Sequence, residues 1–214
     1  MVKIAPSILS VEKQRLEEEI KAVIHAGADY IHIDVMDGKF VTNQTDGVYM
    51  IEVANKFHDQ ILLDTHLMVK NPQEVIKDYL SSDIITIHLE AASEQEIKKI
   101  AAFLHRKKKK FGLALKPNTS VEKVEKYLTF IDRVLIMTVE PGYGGQKLIA
   151  ECLEKISEIR KIAPEMEIEV DGGINLENIE VVKMAGANVI VAGTAIFSAQ
   201  DKLKVIKLMK NEAN

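Results

Sequence analysis

Cysteine is nearly missing from this 214-residue chain: one residue, Cys152, can close no intramolecular disulfide. It lies within an amphipathic pattern with no base-like neighbour, and is read as helix packing rather than as a nucleophile. Charge of one sign is also scarce. A formal net charge of −4 offers neither a nucleic-acid surface nor a polybasic membrane anchor. The longest basic run, His105 to Lys110, closes a helical pattern, where it complements the helix dipole as a solvated tail. No stretch approaches the roughly 18 apolar residues of a membrane span. The N-terminus enters VKIAPSIL with no apolar signal core after a basic start. A cytoplasmic enzyme or binding protein is expected, with no membrane or nucleic-acid partner. No composition break marks a linker, so residues 1–214 are expected to form one domain, with a hydrophobic share of 47% that is ordinary for a globular core.

What is present is an alternation of short β-branched runs with longer amphipathic stretches. The strand-like runs are Lys3 to Ser7, Tyr30 to Val35, Ile61 to Met68, Ile84 to His88, Gly112 to Leu115, Val134 to Thr138, Ile168 to Asp171 and Asn188 to Ala192. Helical patterns between them include VEKQRLEEEIKAVIHAG, SEQEIKKIAAFLHRKKKKFG and LIAECLEKISEIRKIAP, the first ending in Gly27, a C-terminal signal. The segments AGADYIHID and AGANVIVAG repeat one grammar of helix end, turn and strand. Strands alternating with helices pair in parallel, and about eight units in this length fit a compact (β/α)8 TIM barrel better than an open doubly wound sheet.

In such a barrel the chemistry gathers at strand C-terminal ends. Strand alternation puts His32, Asp34 and Met36 on one face, as it does Asp64, His66 and Met68, and Glu169 and Asp171. Two histidines and two aspartates then meet in one mouth. Imidazole with carboxylate suits one divalent ion, Zn²⁺, Fe²⁺, Mn²⁺ or Co²⁺. Asp64 and Glu169, one pleat deeper, either orient these ligands or fill the barrel as a buried polar network. Asp34 and Asp171 would approach a substrate from opposite sides, which suits stereochemical inversion by two-base proton transfer next to a carbonyl. An aspartate with a reference pKa of about 3.9 is a weak base for a C–H bond. A metal can make up the difference by stabilising an enediolate: zinc lowers the pKa of bound water from about 15.7 to about 7, roughly 12 kcal/mol. Met36, Met68 and Met137, also at strand ends, are either core filler or an apolar cover over the intermediate.

The glycine-rich PGYGGQ (Pro141 to Gln146) follows the sixth strand and precedes a helical pattern, freeing backbone N–H groups for an anion. DGGI and AGTAIF place further small residues after the seventh and eighth strands, where barrels frequently bind phosphate. Each loop alone could be a tight turn; three neighbouring ones favour a phosphate. None holds an arginine and the nearest lysine is Lys147, so the expected grip is backbone amides and helix dipoles.

These residues resemble the ribulose-phosphate 3-epimerase family across essentially the whole chain: IAPSILS, HIDVMDGKFVTN, THLMV, ALKPNTSVE, VLIMTVEPGYGGQK, IEVDGGI and AGANVIVAGTAIF, in that order. The resemblance implies a TIM barrel that interconverts D-ribulose 5-phosphate and D-xylulose 5-phosphate at C3 with one divalent ion. It further implies His32, Asp34, His66 and Asp171 as metal ligands, with Asp34 and Asp171 as the acid/base pair. Ser7, His66, Asp171, Gly142, Tyr143, Gly144, Gly145, Gly172, Gly173, Gly193 and Thr194 are implied as substrate and phosphate contacts. The chain departs from the family at Thr42, where FVPN is usual, and in the following QTDGVYM. That keeps a six-carbon ketose phosphate such as allulose 6-phosphate as an alternative substrate. Other readings are a phosphosugar lyase, for which only Lys116 offers an inward strand-end lysine, and a non-catalytic phosphosugar-binding module. A homo-oligomer is expected.

Overall fold

A computed structural model describes residues 2–211. Eight strands, β1 (Lys3–Pro6), β2 (Tyr30–Met36), β3 (Leu62–Met68), β4 (Ile84–His88), β5 (Lys110–Leu115), β6 (Arg133–Met137), β7 (Glu167–Asp171) and β8 (Val189–Ala192), alternate with helices. The helices are α1 (Leu16–His25), α2 (Gly47–Asn55), α3 (Pro72–Val75), α4 (Glu94–Arg106), α5 (Glu122–Glu125), α6 (Cys152–Ile162), α7 (Ile179–Ala185), α8 (Thr194–Phe197) and α9 (Lys202–Lys210). All the strand pairings are parallel, in the order β1-β8-β7-β6-β5-β4-β3-β2. The seam between β1 and β2 is closed by a Ser7–His32 bridge and by Asp29, whose N–H donates to the Ile4 carbonyl at 2.9 Å while its carboxylate accepts the Ile4 N–H at 2.7 Å. The result is a (β/α)8 barrel.

Parity sorts the strand side chains. Ile31, Ile33 and Val35 face outward and join the main core between strands and helices, together with Leu16, Ile20 and Val23 of α1, spaced four and three residues apart. The alternate residues of β2 point inward. The register aligns His32 with Asp64, Asp34 with His66, and Met36 with Met68. On the other side of the barrel it aligns Arg133 with Glu167, Leu135 with Glu169, and Met137 with Asp171.

The two repeated segments are structural equivalents. Gly27 and Gly186 both take left-handed backbone (φ +84° and +115°) at the end of a helix and turn the chain into β2 and β8. Cys152 is buried on α6, and burial pushes its thiol above the ordinary range.

All three helical patterns are shorter than the sequence predicts; the first, from Val11, becomes α-helix only at Leu16, after a 3-10 turn at Lys13–Arg15. The α4 pattern ends at Arg106, with Lys108 left-handed (φ +59°), and Lys110 already begins β5. The α6 pattern starts at Cys152 rather than Leu148; just before it the Ile149 N–H donates to the Thr138 carbonyl at 2.8 Å, beyond the end of β6.

The barrel interior is narrow where β4 and β5 meet. A Cβ placed on Gly112 would overlap the Thr86 side chain. Gly112→Ala is therefore expected to destabilise the protein by about 1–3 kcal/mol, through overpacking. In urea unfolding, adding Thr86→Ala to that variant is expected to recover part of the loss; equal midpoints for Gly112→Ala and the parent would contradict this close approach.

Candidate active site

The C-terminal mouth of the barrel opens into a cavity whose floor is Asp34, Asp171, Met36, Met68 and Met137. Beneath it His32 and His66 are fully buried. Four atoms converge here: His32 Nε2, Asp34 Oδ1, His66 Nδ1 and Asp171 Oδ2. His32 Nε2 lies 3.4 Å from Asp34 Oδ1 and 3.9 Å from Asp171 Oδ2, and His66 Nδ1 lies 3.3 Å and 3.7 Å from the same oxygens. Ser7 adds a hydrogen bond, its Oγ donating to Asp34 Oδ2 at 2.6 Å.

The surrounding network sets the ring tautomers. Glu90 accepts from Thr119 Oγ1 and from the Lys116 N–H. Burial opposes its ionisation, but these bonds and His88 hold its carboxyl down at about 2. An ionised Glu90 only accepts, so His88 Nδ1 donates to it at 3.2 Å. Burial pushes His88 down to about 4, so that ring is neutral and its Nε2 is an acceptor. His66 Nε2 then donates to it at 2.9 Å, which leaves Nδ1 facing the two aspartates. On His32, Nδ1 donates to Asp64 Oδ2 at 3.0 Å, which leaves Nε2 buried and without a partner.

Two imidazole nitrogens and two carboxylate oxygens aimed at one point are a donor set for a divalent ion. The unpartnered His32 Nε2 is the observation that fits it. Without an ion, burial disfavours a charged His32, but Asp34 and Asp64 outweigh burial and raise its pKa well above the ordinary value. The two aspartates respond in opposite directions. Burial opposes charge on Asp34, yet His32 and His66 hold it well below the carboxylate range. Asp171 is pushed up to about 6 by burial and by the charge of Asp34.

A second group, His32 with Asp64 and Glu169, also clusters closely. It already contains a cation, the Arg133 guanidinium, whose Nη1 is 2.8 Å from Asp64 and 3.0 Å from Glu169. Asp64 bonds to His32, while Glu169 bonds to Arg133 within a buried polar network.

Another side of the cavity is lined by Gly142, Tyr143, Gly144, Gly145, Gly172, Gly173, Gly193 and Thr194. The backbone N–H groups of Gly144, Gly145 and Gly173 donate to no described residue. The helix α6 begins too far along the chain to cap this loop, so its dipole is not part of the arrangement. Ser7 lines the cavity, and Met36, Met68 and Met137 do so with about 2% of their surface exposed. His66, expected at the substrate as well as at the metal, lies behind the cavity wall with only its Nδ1 turned to the cluster. Thr42 sits at the mouth, its Oγ1 3.2 Å from the Tyr143 hydroxyl, while Asn43 Nδ2 donates to the Gly142 carbonyl at 2.9 Å. Lys116 does not reach the cavity; its Nζ lies 4.0 Å from the centre of the Phe40 ring.

Sequence reasoning missed Arg133, Glu90 and the lining residues Ser10, Asn175 and Ser198. Arg133 carried a usable signal: it shares strand parity with Leu135 and Met137.

The sequence pattern of the ribulose-phosphate 3 epimerase family matches residues 3–197. Similar proteins include the ribulose-phosphate 3-epimerase of Schizosaccharomyces pombe, 40% identical over 98% of this chain and 92% of that one. That of Bacillus subtilis is 42% identical over 96% of this chain and 97% of its own. Among solved structures, 3-hexulose-6-phosphate synthase from Salmonella typhimurium superposes with a TM-score of 0.73 at 15% identity, covering 98% of this chain and 97% of that chain. Phosphoribosyl anthranilate isomerase from Thermotoga maritima gives 0.65 at 17% identity, covering 100% and 98%. At such identities these two likenesses concern the barrel alone.

The raised Asp171 pKa has a stability consequence. Its folded value of about 6 exceeds the ordinary 3.8, so ionising it in the folded state opposes folding; that penalty builds as pH rises from about 4 to 6 and is complete above. In metal-stripped protein, Asp171→Asn is expected to raise stability at pH 7.5 by on the order of 1–3 kcal/mol, less near pH 4. Denaturant midpoints across that range test this; a difference independent of pH would contradict it.

Proposed function

The chain belongs to the ribulose-phosphate 3-epimerase family, and from that premise we propose that this enzyme interconverts D-ribulose 5-phosphate and D-xylulose 5-phosphate, one of Asp34 and Asp171 removing the C3 proton and the other supplying its own proton to the opposite face. The observation that carries the reading is the pairing of two aspartates at one buried point with pKa values displaced in opposite directions, one held ionised and the other pushed up to about 6. The whole chain acts as a single epimerase domain. A cytoplasmic, homo-oligomeric enzyme belongs to the same reading.

The phosphate of the ketose is held by the unpartnered amides of Gly144, Gly145 and Gly173, with Gly193 and Thr194 beside them. That anchor sets C3 between the two carboxylates. Asp34, steadied by Ser7, removes the C3 proton, and the electron pair moves into the enediolate. Asp171 delivers its proton to the opposite face of C3, which inverts the centre. His32, Asp34, His66 and Asp171 would hold one divalent ion, which supplies positive charge beside the carbonyl and so makes the C3 proton acidic enough for a carboxylate base. Met36, Met68 and Met137 exclude water from the intermediate. After one turnover the proton has changed sides, so Asp34 and Asp171 must re-equilibrate through solvent before the next.

Because no lysine lines the cavity among the described residues, nothing favours a lyase that works through one. In D₂O, recovered ketose is expected to carry deuterium at C3, with ribulose 5-phosphate turning over faster than allulose 6-phosphate and metal stripping lowering both rates. Asp34→Asn and Asp171→Asn are each expected to lower kcat by about 10²–10⁴-fold or more with far-UV circular dichroism unchanged. Full activity in either variant, or no exchange with either ketose phosphate, overturns the two-carboxylate assignment.

A further inference from the structure

One layer below the candidate ligands lies a charged group that the proton-transfer chemistry does not use. Arg133, the first residue of β6, has no exposed surface. Its Nη1 donates to Glu169 Oε2 at 3.0 Å and forms an ion pair with Asp64 Oδ2 at 2.8 Å, while Nε and Nη2 donate to Glu167 Oε2 at 3.1 and 2.9 Å. The Tyr30 ring packs 5.0 Å from the guanidinium carbon. Asp64 Oδ2 is the shared atom: it is paired with the Arg133 guanidinium and accepts the His32 Nδ1 proton at 3.0 Å.

We propose that Arg133 is a positioning residue which, through Asp64, fixes the tautomer and plane of His32 and thereby sets the affinity of the four-residue cluster for its divalent ion. This rests on the metal reading above. The geometry supplies the reason. His32 Nδ1 has a second carboxylate within reach, Glu169 Oε1 at 3.7 Å, and turning the ring toward it would swing Nε2 away from Asp34 and Asp171. One guanidinium nitrogen pins both competing carboxylates, so Asp64 alone remains at hydrogen-bond distance from the ring. An arginine suits this place because its planar fork reaches three acceptors at once and keeps its charge when buried. Its tether to Glu167, itself paired with Lys3 at 2.8 Å, anchors the fork at the floor of the barrel.

The test is Co²⁺ binding to chelator-stripped full-length protein, read by calorimetry and by visible absorption, with no substrate present. Arg133→Met and Asp64→Asn are each expected to weaken Co²⁺ binding 10–100-fold, the range for partners that orient a ligating histidine. The double variant should bind no more weakly than the weaker single one, because both act along one path, and Arg133→Lys should fall between Arg133→Met and the parent. In stripped protein at a pH high enough to deprotonate His32, its ¹⁵N shifts should show a single Nδ1–H tautomer in the parent and a mixture in Arg133→Met. Unchanged Co²⁺ affinity in a folded Arg133→Met variant, however much its Tm falls, reduces the arginine to a structural role and overturns the proposal. If Arg133→Met does not fold, parent-like affinity in both Arg133→Lys and Asp64→Asn does the same. A parent protein that binds no Co²⁺ overturns the metal reading instead, a result distinct from the others.

Discussion

Two carboxylates buried against the same point repel each other strongly, and the rest of this active site is an answer to that repulsion. Asp34 and Asp171 share His32 and His66 as neighbours, and without positive charge among them one of the two must hold a proton. The same repulsion drives their pKa values apart and makes the cluster receptive to a divalent cation. The capacity to hold a cation and the asymmetry of the two carboxyl groups therefore have one electrostatic origin, with Ser7 biasing it further by its bond to Asp34 alone.

Behind the aspartates each ring has its own line of polar partners. His66 is backed by His88 and Glu90, and His32 by Asp64 and Arg133. Both lines end in a charge that burial has not neutralised: an ionised Glu90 on one side, and on the other a guanidinium whose partner Asp64 it holds ionised against burial. Burial works against both charged ends, and dense hydrogen bonding offsets it. The methionine layer above and the aliphatic shell outside keep the local dielectric low, so these orientations exert their full electrostatic effect.

Much of this was readable along the chain. All eight strands lie within one or two residues of their expected bounds, because β-branched runs between amphipathic stretches leave the backbone little choice. Period-two alternation sufficed to put His32, Asp34, His66 and Asp171 in one mouth. Arg133 escaped because β6 starts one residue earlier than the aliphatic run suggests, and a lone arginine after Asp132 resembles a solvated strand start; its carboxylate partners Asp64 and Glu169 lie far away in sequence. Leu148 and Ile149 fit a helical period, but they lie before α6, where the Ile149 N–H donates to Thr138. Thr42 stood out as a departure from the family pattern, and its partner Tyr143, about a hundred residues on, is visible only in three dimensions.

By itself the sequence determined the barrel, the inward face of each strand and the identities of the converging side chains, since periodicity and residue chemistry are local properties. Tertiary structure decided which nitrogen of each histidine faces the site, which aspartate stays ionised and which cation lies beneath them. Those outcomes depend on distances of about 3 Å between residues tens of positions apart, and on a burial that exists only once the barrel has closed.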